Sequence, residues 1–375
     1  MMTDFSLFET RLMGRLLRLA AKRRGLTGST PMVACALLQD GKVIAEGVHQ
    51  KEGTPHAEAI ALAKAGDAAK GATLYVNLAP CTHWGANPPC ASLIQQAGIK
   101  EVVYAMSDPN PLVAKNPSEL QLLDMGIQVR TGLLEADAKR LNEVFIHYQK
   151  FQRPFVHLKV AQSLDGKIAA ANGESLYITN TRSRRQVHRF RRESDAVLIG
   201  INSLIMDDAQ LSVRFGLIRG GYRHPKVVIL DRRGRLHGGL RLFQRRVLPE
   251  VIVVTLPGVQ LHESVRNRVT QVTLASEDVL EMWPLLLDYL GQEGIQSLLI
   301  EGGAEVYSSA LLAGIVDKVS IFMAPILMAQ SKALSAFHRS GHLGVSESRR
   351  LTEMTMKQLG SDLWVTGYLR DPASI

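Results

Sequence analysis

The feature that most limits how this chain can fold is an alternation of short apolar runs with helix-period segments, which occurs in two series separated by one interruption. The first series opens with an amphipathic helix that carries Phe5, Phe8, Leu12, Leu16 and Leu19 three or four residues apart. A hairpin follows, Val33 to Leu38 and Val43 to Val48, joined at Asp40-Gly41. The spacing then predicts helices over His56–Ala65, Pro89–Ala97, Glu119–Asp124 and Glu135–Tyr148, interleaved with strands over Thr73–Leu78, Glu101–Ala105 and Gln128–Thr131. The polar stretch Lys150-Phe151-Gln152-Arg153-Pro154 breaks the rhythm and reads as a linker. Beyond it, strands are expected at Phe155–Ala161, Ala196–Ile199, Lys226–Leu230, Val251–Thr255, Ser297–Ile300 and Lys318–Phe322, with Leu363–Leu369 alternating like an edge strand. Such alternation packs helices against sheets. The expected class is α/β in two domains, residues 1–150 and 151–375, and a length of 375 residues is enough for two cores.

Composition narrows the function classes. Hydrophobic residues make up 46% and charged residues 21%, which excludes a disordered or fibrous chain. No apolar run approaches the roughly 18 residues of a membrane span, so no membrane partner is expected. The N-terminus has early acids and no long apolar core, so no secretory signal is expected there. An odd set of three cysteines fits a reduced, cytoplasmic protein with thiols free for metal or chemistry. The net charge of +9 raises nucleic acid as a partner. The arginines crowd into Arg182, Arg184, Arg185, Arg189, Arg191 and Arg192 and again between Arg232 and Arg246, but at 6% aromatics the chain lacks a base-stacking surface. Phosphorylated small molecules account for the charge equally well, and most of these arginines are expected on solvated faces.

Two constellations carry chemistry. His56-Ala57-Glu58 opens a predicted helix, and Pro80-Cys81-Thr82-His83-Trp84-Gly85-Ala86-Asn87-Pro88-Pro89-Cys90 lies downstream. His56, Cys81 and Cys90 suit a catalytic zinc, because a tetrahedral ion with three protein ligands keeps its fourth position for water and lowers the pKa of that water. Glu58, two residues from the ligand His56, is placed to shuttle a proton without binding metal. A His-x-Glu followed by paired cysteines is the zinc deaminase pattern, here with eight residues between the cysteines in place of two. His83 is an alternative fourth ligand, two buried thiols without metal are the bland reading, and Cys35 in its apolar run reads as core. In the second half no Gly-x-Gly occurs, which excludes a Rossmann fingerprint. Ser297 to Glu305 offers a strand, the pair Gly302-Gly303 and a helix, a geometry that can bring backbone amides to a phosphate.

At these residues the chain resembles the bifunctional riboflavin biosynthesis family, over nearly its whole length. In the first half the resemblance rests on His56-Ala57-Glu58, the Pro80 to Cys90 run and Asp108-Pro109-Asn110-Pro111. In the second half it rests on Lys159 to Lys167, Gly173 to Thr179, Arg191, Asp195 to Gly200, Asp207 to Arg214 and Ser297 to Glu305. It implies a cytidine-deaminase-like α/β/α sandwich followed by a dihydrofolate-reductase-like α/β domain, with zinc and NADPH as cofactors. The implied reactions are deamination of a phosphoribosyl diaminopyrimidine and reduction of its ribosyl group to ribityl. The implied NADPH site is Ala161, Tyr177, Ser203, Asp207, Arg232 and the run Gly303, Ala304, Glu305, Val306, Tyr307, Ser308 and Ser309. Ser175, Arg191, Leu211, Arg214 and Glu301 would face the substrate, the two arginines offering planar forks to its phosphate. Lys159, Asp207 and Glu301 are the polar groups expected near the reacting carbon, with a Lys159–Glu301 ion pair and a helix-capping Asp207 as structural alternatives. A homo-oligomer and no nucleic-acid partner are expected.

Departures from the family pattern cluster around the deaminase substrate. They are Ser29-Thr30-Pro31-Met32-Val33-Ala34, Ala79, Ala86-Asn87 and Lys115-Asn116-Pro117, and they predict deamination weaker than reduction, with Arg23, Arg24 or Lys115 as compensating cations. Two other functions compete: a reductase whose zinc domain has lost or changed its substrate, and a nucleic-acid-modifying deaminase.

Overall fold

The computed structural model describes residues 5–84, 87–110, 113, 117–175, 177–218, 222, 224–337 and 348–370. Gly85, Ala86, Pro111, Lys115, Asn116 and Leu176 from the motifs above lie outside the described residues. The chain parts after Gln152 into two compact units. Gln152 takes a left-handed backbone (φ 53°) that closes the helix Glu143–Phe151, and Pro154 has no amide hydrogen with which to continue it.

The first unit is a five-stranded sheet of β1 (Ala34–Gln39), β2 (Lys42–Val48), β3 (Thr73–Leu78), β4 (Glu101–Met106) and β5 (Gln128–Thr131), in the order β2-β1-β3-β4-β5. The hairpin forms at Asp40 and Gly41, both at positive φ, as a tight two-residue turn requires. β3, β4 and β5 run parallel, and β3 is buried along its whole length. The first helix spans Leu7–Ala21 behind a Ser6/Glu9 capping box and buries Leu12, Met13, Leu16, Leu17 and Ala20. Phe8, expected on that face, is 49% exposed. Glu9 accepts from Arg130 Nη2 (2.6 Å) and Tyr75 Oη (2.9 Å), which sets the rotation of the first turn and points Phe8 outward. The helix expected over residues 135–148 is two helices, Glu135–Leu141 and Glu143–Phe151. Asn142 breaks it because its side chain clasps Met32, accepting from the amide (2.8 Å) and donating to the carbonyl (3.2 Å). Cys35 is fully buried in β1, as expected of core packing.

The second unit is built on nine strands in the order β11-β10-β9-β8-β12-β6-β13-β16-β15. They are β6 (Phe155–Ser163), β8 (Ala196–Gly200), β9 (Lys226–Leu230), β10 (Val251–Thr255), β11 (Thr270–Thr273), β12 (Ser297–Gly302), β13 (Lys318–Ala324), β15 (Thr352–Leu359) and β16 (Asp362–Tyr368); β7 (Lys167–Ala169) and β14 (Leu334–Ser335) form a separate small antiparallel pair. From β11 to β13 all pairings are parallel, and the wholly buried β8 and β10 are continuous apolar runs, as in a sheet covered on both faces. Asp195, just before β8, accepts from the amides of Gln296 (3.0 Å) and Ser297 (2.9 Å) and fixes β8 beside β12. The last strand is not the edge. β16 pairs with both β13 and β15, and β15 takes the edge unannounced because Thr352–Leu359 is exposed along nearly all its length and carries no inward apolar face.

Candidate active sites

The first site forms where β3 and two helix starts converge. His56 is the N-cap of the helix Ala57–Ala65, Cys81 follows the end of β3, and Cys90 is the first residue of the helix Cys90–Gln96. The helix bearing His56 and Glu58 sits directly on β2, where a Cβ at Gly47 would collide with the carbonyl oxygen of Ala57. Only glycine permits that approach. His56 Nδ1 lies 3.3 Å from Cys90 Sγ and 3.5 Å from Cys81 Sγ, and all three ligand atoms lie within 4.8 Å of one another. The spacing suits three ligands around one ion. His83 lines the same cavity but stands outside this cluster.

The electrostatics reflect donor groups packed closely together. A hydrogen bond from Cys90, helped by His56, holds the Cys81 thiol down at about 4 against the cost of burial. Cys90 is pushed up because it keeps the proton that Cys81 accepts, and burial adds to this. Burial, reinforced by the Cys81 charge, raises Glu58 to about 7. Two thiols, a carboxyl and an imidazole thus share a buried space, and a divalent ion bound there would hold both sulfurs as thiolates. Around them the cavity is walled by Thr30, Ala79, Asp108 and Asn110, and by His49, whose Nε2 is 2.7 Å from Thr30 Oγ1. Among the described residues no lysine or arginine lines it: Arg23 and Arg24 lie elsewhere, and Asn87 Nδ2 donates to the Thr54 carbonyl (3.2 Å).

The second site opens at the carboxyl ends of β6, β8 and β12, where ligands bind in parallel α/β sheets. Its centre is Glu301 on β12, its side chain only 4% exposed. Arg191 grips both carboxylate oxygens, through Nε and through Nη2 (2.9 Å), while its Nη1 donates to the Ser212 carbonyl (3.0 Å). Lys159 Nζ on β6 lies 3.5 Å from Glu301, the ion pair weighed above as a structural alternative. Burial alone would raise the carboxyl, but Arg191 and then Lys159 outweigh it and hold Glu301 at about 2. Burial lowers Lys159, with Glu301 opposing. Ser175 donates to Asp207, which closes the C-terminal end of the helix Ile201–Met206 instead of capping the start of one. Gly303, at φ 94°, turns β12 into the helix Ala304–Leu312.

The cavity brings together Ala161, Ser175, Tyr177, Arg191, Ser203, Asp207, Leu211, Arg214, Glu301, Gly303 and Tyr307. It does not gather all the residues implied by the resemblance. Arg232 donates to the Glu277 carbonyl (2.5 Å), away from the lining. Ala304, Glu305, Val306, Ser308 and Ser309 do not line it, and Ser309 Oγ instead accepts from Trp283 Nε1 (3.1 Å) in the core. Arg184, His188, Asn202, Arg241 and Lys332 line it without having been singled out as ligands. The first two had a signal: Arg184, Val187, His188 and Arg191 recur at helical spacing on Thr181–Glu193, a face that buries Val187 and His188.

Comparison with known proteins covers both halves. Residues 8–106 match the cytidine and deoxycytidylate deaminase zinc-binding region, and residues 154–365 match the RibD C-terminal domain. The riboflavin biosynthesis protein RibD of Aquifex aeolicus is 38% identical, covering 92% of this chain and 94% of its own length. The Haemophilus influenzae protein of the same name is 36% identical over 97% of this chain and 98% of its own. Among solved structures, Acinetobacter baumannii RibD superposes with a TM-score of 0.86 at 36% identity, covering 96% of this chain and 98% of that one. The Thermotoga maritima diaminohydroxyphosphoribosylaminopyrimidine deaminase/5-amino-6-(5-phosphoribosylamino)uracil reductase gives 0.84 at 35%, with the same coverage. Neither the reductase-only reading nor the nucleic-acid reading finds support among these relatives, and a zinc-binding region joined to a RibD reductase domain makes zinc and NADPH the cofactors. With both halves matched along almost the entire length, this chain belongs to the RibD family of bifunctional riboflavin biosynthesis proteins, a deaminase followed by a reductase.

Proposed function

We propose that the first site removes an amino group from a phosphoribosyl diaminopyrimidine and that the second reduces the ribosyl group of the product to ribityl. The observation that carries this reading is the pairing of a three-ligand cluster beside a buried Glu58 with a cavity centred on the Arg191–Glu301–Lys159 network. When bound at these sites, zinc supplies Lewis acidity toward water and NADPH supplies a hydride equivalent. His56, Cys81 and Cys90 would hold the metal. Glu58 shuttles a proton from water to the departing amine, which its place beside the ligand cluster permits. In the second site Lys159 holds a proton where an alkoxide develops, and Glu301 keeps Lys159 and Arg191 in place. All three side-chain nitrogens of Arg191 are already engaged, so of the two arginines implied to face the substrate Arg214 is the fork left for the phosphate.

The matching test is incubation of the purified protein with the phosphoribosyl diaminopyrimidine, with and without NADPH, and identification of products by mass. The deaminated product without NADPH, and the ribityl product with it, are expected. Because no lysine or arginine among the described residues lines the first cavity, deamination is expected to be the slower half-reaction. A deaminase efficiency at or above that of the reductase would overturn that expectation.

Three free thiols support a reducing compartment, the cytoplasm. Among the described residues no helix is long and apolar enough to cross a membrane. The exposed edge strand β15, with Met354 and Met356 outward, supports a homo-oligomer. Arg191 is committed within a cavity and Arg184 is bonded to Thr179 and Thr181, which leaves those two arginines out of any nucleic-acid surface.

A further inference from the structure

The segment Leu211–Arg214 carries two of the proposed substrate contacts, yet it belongs to no helix or strand. It begins under strain, since Leu211 is buried with a left-handed backbone at φ 49°, a conformation a branched side chain resists. Side chains hold its backbone in place at three successive residues. Arg191 Nη1 donates to the Ser212 carbonyl (3.0 Å), the Val213 amide donates to His224 Nδ1 (3.2 Å), and the Arg214 amide donates to His188 Nδ1 (3.1 Å). An imidazole can accept at Nδ1 only when it is neutral with its proton on Nε2. The surroundings favour that form. Burial, then Arg191 and Arg214, push His188 down to about 3, and burial with Arg245 lowers His224. The His188 ring also packs edge-on against Phe215 (5.0 Å between centroids), which fixes its plane.

We propose that His188 and His224 are positioning residues of the reductase, neutral acceptors that hold the Leu211–Arg214 backbone so that the Arg214 side chain meets the substrate. The inference rests on the reading that Leu211 and Arg214 face the substrate. Neither histidine is assigned a contact with the reacting atoms. Their effect should therefore fall on substrate KM, with kcat and NADPH affinity little changed.

The experiment measures kcat, substrate KM and NADPH Kd in the full chain for His188→Phe, His188→Asn, His224→Phe and Arg214→Ala. Loss of one buried acceptor in His188→Phe should raise KM about five- to tenfold. The asparagine Oδ1 can take the place of Nδ1, so His188→Asn should return KM to within about twofold of the parent. If His188→Phe does not fold, His224→Phe carries the same test at the neighbouring amide, with a smaller rise expected. An unchanged KM in folded His188→Phe and His224→Phe, while Arg214→Ala raises it, overturns the positioning role and leaves the substrate reading standing. An unchanged KM in Arg214→Ala overturns the substrate reading, and the positioning role with it. A loss of thermal stability in His188→Phe with no change in KM identifies a purely structural contact and also overturns the proposal.

Discussion

Glu58 and Glu301 are both almost fully buried, and their neighbours send them in opposite directions. Burial pushes both up; the Cys81 charge adds to it and Glu58 rises to about 7, whereas Arg191 and Lys159 outweigh it and Glu301 falls to about 2. Glu58→Gln should keep zinc, because the ligand set is untouched, and should lower deamination by about 10²- to 10⁴-fold while reduction continues; metal content and the two half-reactions check this. Glu301→Gln leaves two buried cations without their counter-charge and should cost at least about tenfold in reductase efficiency. The sign of its pH effect follows from the direction of the shift. A carboxyl lowered from its ordinary 4.5 to about 2 stabilises the fold above pH 4.5 and loses that contribution as pH falls toward 2, so parent and variant should converge in melting temperature at the acid end. At this scale the zinc constellation was legible because ligand chemistry restricts residue types and the positions lie close in sequence. Arg232 and Ser309 turn to the Glu277 carbonyl and to Trp283, which a resemblance cannot foretell because it does not say which way a side chain points on this backbone. The spacing of Arg184, Val187, His188 and Arg191 marked a common helix face, but not what His188 does there, because its bond is to the backbone amide of Arg214, 26 residues away in sequence.

Elements position these residues through a few contacts that can be tested. Gly47 lets the helix bearing His56 and Glu58 lie against β2, and a methyl group there would have to displace the Ala57 carbonyl. Gly47→Ala should cost about 1–3 kcal/mol and weaken zinc retention, with reductase turnover unchanged; denaturant melts and metal analysis check it. The first helix is held by Glu9; burial would raise its carboxyl, but Ser6, Arg130 and Tyr75 keep it at about 2. Glu9→Gln should therefore destabilise the protein by about 1–3 kcal/mol at pH 7, and the difference should shrink as pH falls from 4.5 toward 2. Buried strands were legible almost to the residue, since burial on both faces writes a continuous apolar run, as in Lys226–Leu230 and Val251–Thr255. β15 was not, because an exposed strand gains its order from the pairing with β16 and needs no apolar code. The break at Asn142 was hidden for a similar reason: its cause is a bond to Met32, 110 residues away in sequence.

The two compact units suit separate expression. A fragment beginning at Arg153 should fold, bind NADPH and reduce the deaminated substrate; a soluble fragment without turnover, beside an active full chain, would show that the reductase depends on the first unit. The strand order of that fragment also bears on how the protein is made. β6 sits between β12 and β13 in the sheet, yet both partners are translated at least 130 residues after it. At about 5–20 residues per second, the interval between β6 and β12 leaves an apolar strand without either neighbour for roughly 7 to 30 s on the ribosome. The five strands of the first unit are all in hand before that interval begins. Nascent chains stalled before Ser297 should therefore carry a completed zinc domain followed by an open, adhesive strand, the stage of synthesis at which a holdase chaperone has most to bind.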